Sequence, residues 1–361
     1  MVTRHFTMVA PIIAPMPADI PLAALTTINF QKLRSSDAGE KQKLWEAATE
    51  AGFFYLNYEN MPEFEDLTAT INDIYDLERD IFNLSDEEKM KYDVDKQGNM
   101  KISGYKPIGR NIGGLEGKRD GHESWAIPKS GVFSLSDTQF DRPPLLESRL
   151  TTVRTFMQYA QTFTTVIHGI LSDQLGMQGK DRLERFHRPD HSCLSILRLL
   201  KVHAQPLSSR GHVHTPHTDI GSLTVLLSNT PGLQILAHNA AGGGTGEVNW
   251  EFVAPRANCA VINLGDSLSM MTGGRTASAL HRVGPLPGQP MGTRYSFAYL
   301  QRPETRTVVK VGMGPTTGGL VEEISIEEWI KRKFGMLRKE SYRHGEQWVL
   351  TGRQGRQVIA A

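Results

Sequence analysis

The stretch PHTDIGSLTVLL, Pro216 to Leu227, places a histidine and an aspartate two residues apart at the head of a run that alternates apolar and small polar residues. Alternation with a period of two marks a half-buried β-strand, and on an extended chain side chains at i and i+2 point to the same face. His217 and Asp219 can therefore reach one point in space. They are either two ligands of one metal or two polar residues closing a strand, and the rest of the chain has to decide.

Outward from this stretch, short apolar runs recur between Ser192 and Gln301: CLSILRLL, LQILA, WEFVA, CAVINL, HRVG and RYSFAYL. Turn signals separate them, among them NTPG, NAAGGGTGE, PRAN and PLPGQPMGT. Strands at such close spacing predict a sandwich or jelly roll rather than a βαβ fold. Upstream the texture is helical. Leu44, Ala47, Ala48 and Ala51 follow helical spacing and stop at Gly52, before a buried strand FFYLNY. A second helix carries Leu67, Ile71, Ile74 and Ile81, and Ser85 with Glu88 forms a capping-box pattern for a third. A long helix is predicted from Ser148 to Leu175, closed by Gly176. The segment from Gly98 to Ser136 reads as glycine-rich loop, and residues 1 to 17 as a loose arm. A last helix, capped by Ser325 and Glu328, carries Trp329, Ile330 and Phe334.

Bulk properties exclude several functions. Forty basic against thirty-nine acidic side chains leave a net charge of +1, which gives no general attraction for nucleic acid or an anionic membrane. The densest basic segment, Lys331 to Lys339, reads as the solvated face of an amphipathic helix. Cys193 and Cys259 match no zinc or redox spacing, so a reducing, cytoplasmic compartment is expected. Prolines interrupt the apolar N-terminus, and no window is long enough to span a membrane.

The glycine-rich AGGGTGE lacks the Lys-Ser/Thr ending of a phosphate loop, and GDSLS lacks the last glycine of a nucleophile elbow. Histidines are the stronger signal. His203, His212, His214 and His217 crowd together, and His212, His214 and His217 would suit zinc. The competing set is His217, Asp219 and the distant His281, two imidazoles and a carboxylate that leave three positions open on an octahedral iron. Further on, RYS puts Arg294 and Ser296 on one strand face, a guanidinium and a hydroxyl suited to gripping a carboxylate.

The chain resembles the Fe(II)/2-oxoglutarate-dependent dioxygenase superfamily, in its isopenicillin N synthase-like branch. The N-terminal half carries the likeness through IPLAAL, AATEAGFFYLNY, FNLSDEEKMKY and GYKPIG. The C-terminal half carries it through LRLLKV, HTDIGSLTVLL, PGLQIL, VINLGDSL and LHRVGPLPGQPMGTRYSFAYL. The resemblance implies a mainly β fold with flanking helices around a double-stranded β-helix (jelly roll) core. It divides the chain into a mostly helical region 1–185, an oxygenase core 186–305 and a helical extension 306–361. It implies His217, Asp219 and His281 as iron ligands, and Arg294 with Ser296 as the clamp on the 2-oxoglutarate carboxylate. Val202 stands where many members carry a clamp tyrosine. A small residue at 219 would have implied a halogenase; Asp219 does not.

The implied activity is oxidation of a C–H bond of a small organic molecule by Fe(II), 2-oxoglutarate and dioxygen, with ascorbate as an auxiliary reductant. Hydroxylation, desaturation and ring formation are all open to such a site, and specialised metabolite biosynthesis is the expected setting. An iron oxidase of the same fold that does not use 2-oxoglutarate, and a zinc-dependent hydrolase, are the alternatives. Trp125, Tyr299 and the loop Ile108 to Gly114 are the expected pocket-lining residues.

Overall fold

The computed structural model describes residues 13–98, 100–111, 113, 118–136, 140–206, 214–236, 249–312 and 321–336. The first half runs β1 (Thr27–Asn29), α1 (Phe30–Arg34), α2 (Ala38–Thr49), β2 (Phe53–Asn57), α3 (Phe64–Phe82), α4 (Asp86–Met90), β3 (Gly104–Lys106), β4 (His122–Pro128), α5 (Lys129–Val132), α6 (Pro144–Ser148) and α7 (Leu150–Gln174). The second half runs β5 (Ile196–Val202), β6 (His214–His217), β7 (Leu223–Ser228), β8 (Leu233–Leu236), β9 (Trp250–Phe252), β10 (Cys259–Leu264), α8 (Asp266–Met271), β11 (His281–Val283), β12 (Arg294–Gln301), β13 (Val308–Gly312), β14 (Val321–Ser325) and α9 (Ile326–Met336).

Local chemistry sets the helix ends. The Asp37 side chain accepts the Glu40 N–H at 2.9 Å and starts α2. The chain leaves α2 through Gly52 at φ +67°, where a Cβ would stand 2.4 Å from the Ala277 carbonyl oxygen, so only glycine fits. In the same way Ser85 accepts the Glu88 N–H and opens α4.

Two sheets form the jelly roll, an eight-stranded one in the order β1-β2-β10-β7-β12-β5-β4-β3 and a four-stranded one in the order β6-β11-β8-β9. Leu199, Val225, Ile262, Phe297 and Tyr299 point from the large sheet into one cluster with the apolar stripes of α3 and α7. Each such side chain contributes about 1.5–3 kcal/mol by leaving water. Alternation sends their neighbours the other way, into the lumen. Phe53, Tyr55 and Val261 of the large sheet meet Leu233 and Ile235 of the small one there.

Three stretches differ from expectation. The segment read as loop between 98 and 136 supplies β3 and β4, so with β1 and β2 the N-terminal region gives four of the eight strands. The C-terminal extension begins with an antiparallel ribbon, β13 against β14, before α9. Trp125 and Tyr299 are not pocket residues: both are fully buried on the helix side of the large sheet, where the Tyr299 hydroxyl donates to Gln161 Oε1 at 3.2 Å. The AGGGTGE loop, most of the N-terminal arm, and His212, Ile112 and Gly114 lie outside the described residues.

Candidate metal centre and cosubstrate pocket

His217 closes β6 and pairs directly with His281, the first residue of β11. Asp219 follows β6. The Nε2 atoms of His217 and His281 lie 3.8 Å and 3.9 Å from Asp219 Oδ1, and the three atoms fall within 4.8 Å of one another. Among the described residues no other group of histidine, cysteine and carboxylate side chains converges this way.

The surroundings orient the Asp219 and His281 atoms toward the cluster. Asp219 Oδ2 accepts from Thr224 Oγ1 at 2.5 Å and from Asn263 Nδ2 at 2.6 Å, two side chains that face each other across β7 and β10. Oδ1 is thereby turned toward the imidazoles. His281 Nδ1 donates to the Ala279 carbonyl at 3.1 Å, which fixes the tautomer whose Nε2 lone pair faces the carboxylate. Burial pushes the Asp219 carboxyl up, but His281 and His217 together with the Asn263 and Thr224 hydrogen bonds outweigh it and hold the group well below the usual carboxylate range. Two imidazole nitrogens and one ionised carboxylate, with no thiolate, fit Fe(II).

The backbone between the ligands is also held. Lys333, from α9, is buried and donates to the Thr218 carbonyl at 2.7 Å, to Thr218 Oγ1 at 2.8 Å and to Asp266 Oδ2. Asp266 also accepts from Ser278 Oγ at 2.7 Å, ahead of His281. The expected solvated basic face of α9 is thus corrected at Lys333: the helix packs its ammonium under the His217–Asp219 turn because Asp266 is buried there and needs a cation. Gly221 permits the close packing, since a Cβ would lie 2.1 Å from the Gln301 carbonyl oxygen.

Arg294 and Ser296 share the lumen face of β12. Arg294 is buried, its Nη1 donating to Ser296 Oγ at 2.7 Å and its Nη2 to Ser228 Oγ at 2.9 Å. Ser228 spends its own proton on the Thr230 carbonyl at 3.0 Å, so the hydroxyl with a proton to give a ligand is Ser296. Burial lowers the Arg294 guanidinium to about 10, leaving it charged at neutral pH. Val202 pairs directly with Arg294 and clusters with Met291 and Val283, so an apolar patch stands where a tyrosine hydroxyl would add to the clamp. Thr224 and Ser228 act as a ruler: one strand face holds Asp219 at one end and Arg294 at the other, four residues or roughly 13 Å along β7.

Of the remaining histidines, His203 bonds Glu123 Oε1 at 2.7 Å, away from the cluster. His214 stacks edge-on between His217, 4.0 Å away, and His122, 4.9 Å away. Burial, then the neighbouring imidazoles, push His214 well below the usual histidine range, so it lines the cleft as a neutral ring. Arg198, His122, Ser124 and Lys106 line the same cleft, with Asn111 from the loop expected there. Thr224, Asn263, Ser228, Lys333 and Arg198 are site residues that the sequence reading missed.

Comparison with known proteins agrees with this geometry. Residues 191–303 match the 2OG-Fe(II) oxygenase superfamily, and residues 20–143 match the family described as non-haem dioxygenase in morphine synthesis N-terminal. The 2-oxoglutarate-dependent dioxygenase frbH of Dothideomycetidae sp. is 33% identical over 92% of this chain and 96% of its own length. The 2-oxoglutarate-dependent dioxygenase gloE of Glarea lozoyensis is 30% identical over 91% of this chain and 92% of its own. Among solved structures, full-length Neurospora crassa T7H in complex with alpha-KG superposes with a TM-score of 0.67 at 20% identity, covering 88% of this chain and 97% of that one. The fold is therefore that of the oxygenases. Neither the zinc hydrolase nor the oxidase that dispenses with 2-oxoglutarate is favoured by these relatives.

Proposed function

The chain belongs to the 2OG-Fe(II) oxygenase superfamily, and from that premise we propose that His217, Asp219 and His281 hold its Fe(II) and that Arg294 with Ser296 holds the far carboxylate of 2-oxoglutarate. The protein is a 2-oxoglutarate-dependent dioxygenase, and its cofactors are Fe(II), 2-oxoglutarate and dioxygen. The observation that carries the assignment of residues is the β7 ruler, which sets a carboxylate-anchored metal triad and a buried guanidinium at the two ends of one lumen.

Fe(II), when bound, supplies the site at which dioxygen is reduced while 2-oxoglutarate is decarboxylated to succinate and a substrate C–H bond is oxidised. The chain's own residues do the rest. Thr224 and Asn263 orient Asp219, and Ala279 orients His281. Arg294 offers two N–H groups and Ser296 one O–H to a carboxylate, in a lumen whose walls exclude water and strengthen each bond. The cleft beside His214 admits the substrate.

In this reading the oxygenase core spans 186–305, preceded in sequence by the region 1–185 and followed by the extension 306–361. The substrate is a small molecule of specialised metabolism, and the compartment is the cytoplasm. No helix among the described residues is long and apolar enough to cross a membrane. The test is succinate release. The iron-loaded protein slowly converts 2-oxoglutarate to succinate without substrate, faster when a metabolite extract supplies one, and Asp219→Ala abolishes both. Release that never exceeds the enzyme-free control overturns the reading.

A further inference from the structure

Arg198 sits in LRLLKV, on β5, directly between Ala126 of β4 and Ala298 of β12. Small side chains on both sides leave its guanidinium in the lumen, where it lines the cleft with His122, His214 and Phe334. It makes no ion pair with any described carboxylate, and its buried Nε has no hydrogen-bond partner. Desolvation lowers it, and the acid whose charge reaches it is Asp219, which the metal claims. Arg302 lies close enough for the two positive charges to repel; it is buried, its Nε is likewise unpartnered, and it sits over the Phe334 ring at 5.6 Å.

The other cations of the cleft are neutralised. Lys106 pairs with Asp120 at 2.5 Å and Lys101 with Asp95 at 2.8 Å. A half-buried guanidinium with its Nε out of water and no counter-ion is costly, and a fold retains one where a ligand supplies the missing charge. Building on the oxygenase reading, we propose that Arg198 is the substrate-anchoring residue and that the substrate is a small organic acid whose carboxylate pairs with it, beside His214 and the metal triad. Arg302 gives its Nη1 to the Leu194 carbonyl and does not line the cleft, so among the described residues Arg198 is the one uncompensated cation that faces it, and one matches a carboxylate. A phosphate monoester, with about −1.5 to −2 charge at neutral pH, would require a second.

The experiment uses the full chain, loaded anaerobically with Fe(II) and 2-oxoglutarate, and a panel of small aromatic and aliphatic carboxylic acids, each beside its methyl ester. Affinities come from thermal shift and native mass spectrometry. Acids outbind their esters by about 10- to 150-fold in the wild type, the ratio falls to near one in Arg198→Met, and Arg198→Lys retains part of it. Because the Arg198 side chain has no ion-pair or hydrogen-bond partner among the described residues, Arg198→Met melts no lower than the wild type, and it keeps the visible Fe(II)–2-oxoglutarate charge-transfer band. A panel in which no acid outbinds its ester overturns the proposal, as does a preference that survives Arg198→Met or a fall in its melting temperature. A weakened 2-oxoglutarate titration in Arg198→Met also overturns it, by moving Arg198 to the cosubstrate. Absence of the band in the wild type is a separate result, which fails the oxygenase site rather than the acid anchor.

Discussion

Replacing Arg294 by lysine tests the proposed cosubstrate clamp. Each terminal nitrogen of Arg294 gives one N–H to a hydroxyl, Nη1 to Ser296 and Nη2 to Ser228, which leaves one N–H on each for a carboxylate. The guanidinium fork therefore donates two parallel hydrogen bonds. Lysine keeps the charge but carries its donors on one nitrogen, so it satisfies the serines and the ligand only by giving up a bond to one of them. Val202, opposite Arg294, has no hydroxyl to compensate. Losing one charge-assisted bond costs about 1.5–3 kcal/mol, or roughly 10- to 150-fold in affinity. Anaerobic titration of the Fe(II) protein with 2-oxoglutarate reads the dissociation constant, and steady-state kinetics with each component varied separately read the two KM values. The 2-oxoglutarate constants rise while the substrate KM stays near wild type. An unchanged 2-oxoglutarate constant beside a weakened substrate constant would mean that Arg294 grips the substrate, and the clamp assignment would be wrong.

Lys333→Met removes the cation under the His217–Asp219 turn and leaves Asp266 buried without it; stability falls by about 3–5 kcal/mol, read by denaturant unfolding of the metal-free protein, and an unchanged midpoint would refute the buried pair. Glu78 of α3 accepts the Leu200 N–H at 2.9 Å, and burial raises its carboxyl to about 8 despite the lowering pull of that bond and of Arg294. A folded-state value above the ordinary 4.5 means stability that is fully present below about pH 4.5 and lost as pH rises through about 8, by on the order of a few kcal/mol. Glu78→Gln keeps the acceptor and removes the titration, so its melting temperature exceeds that of the wild type at about pH 9 by more than at about pH 6; parallel pH profiles would contradict the buried acid.

The convergence of His217, Asp219 and His281 was legible because its parts obey local rules: His217 and Asp219 lie two residues apart at a strand end, and His281 opens a strand that pairs with His217. Arg294 and Ser296 were legible for the same reason. What alternation could not give was which face is the lumen, so Trp125 and Tyr299 were placed on the wrong side of the sheet. Thr224 and Asn263 look like ordinary strand polar residues until β7 and β10 are paired and both turn out to grip Asp219. Strand β4, HESWAIP, escaped because it is buried along its whole length and its lumen face carries polar residues for the cleft. Lys333 broke the amphipathic pattern because its partner, Asp266, lies far away in sequence.

The central claim, that His217, Asp219 and His281 are the iron ligands of a 2-oxoglutarate oxygenase, is tested most directly by anaerobic Fe(II) titration of the purified protein with metal analysis and visible absorption. The account predicts one Fe(II) per chain, a charge-transfer band that appears on adding 2-oxoglutarate, and loss of both in His217→Ala, Asp219→Ala and His281→Ala but not in His214→Ala. Iron and band surviving in His217→Ala while disappearing in His214→Ala would contradict it.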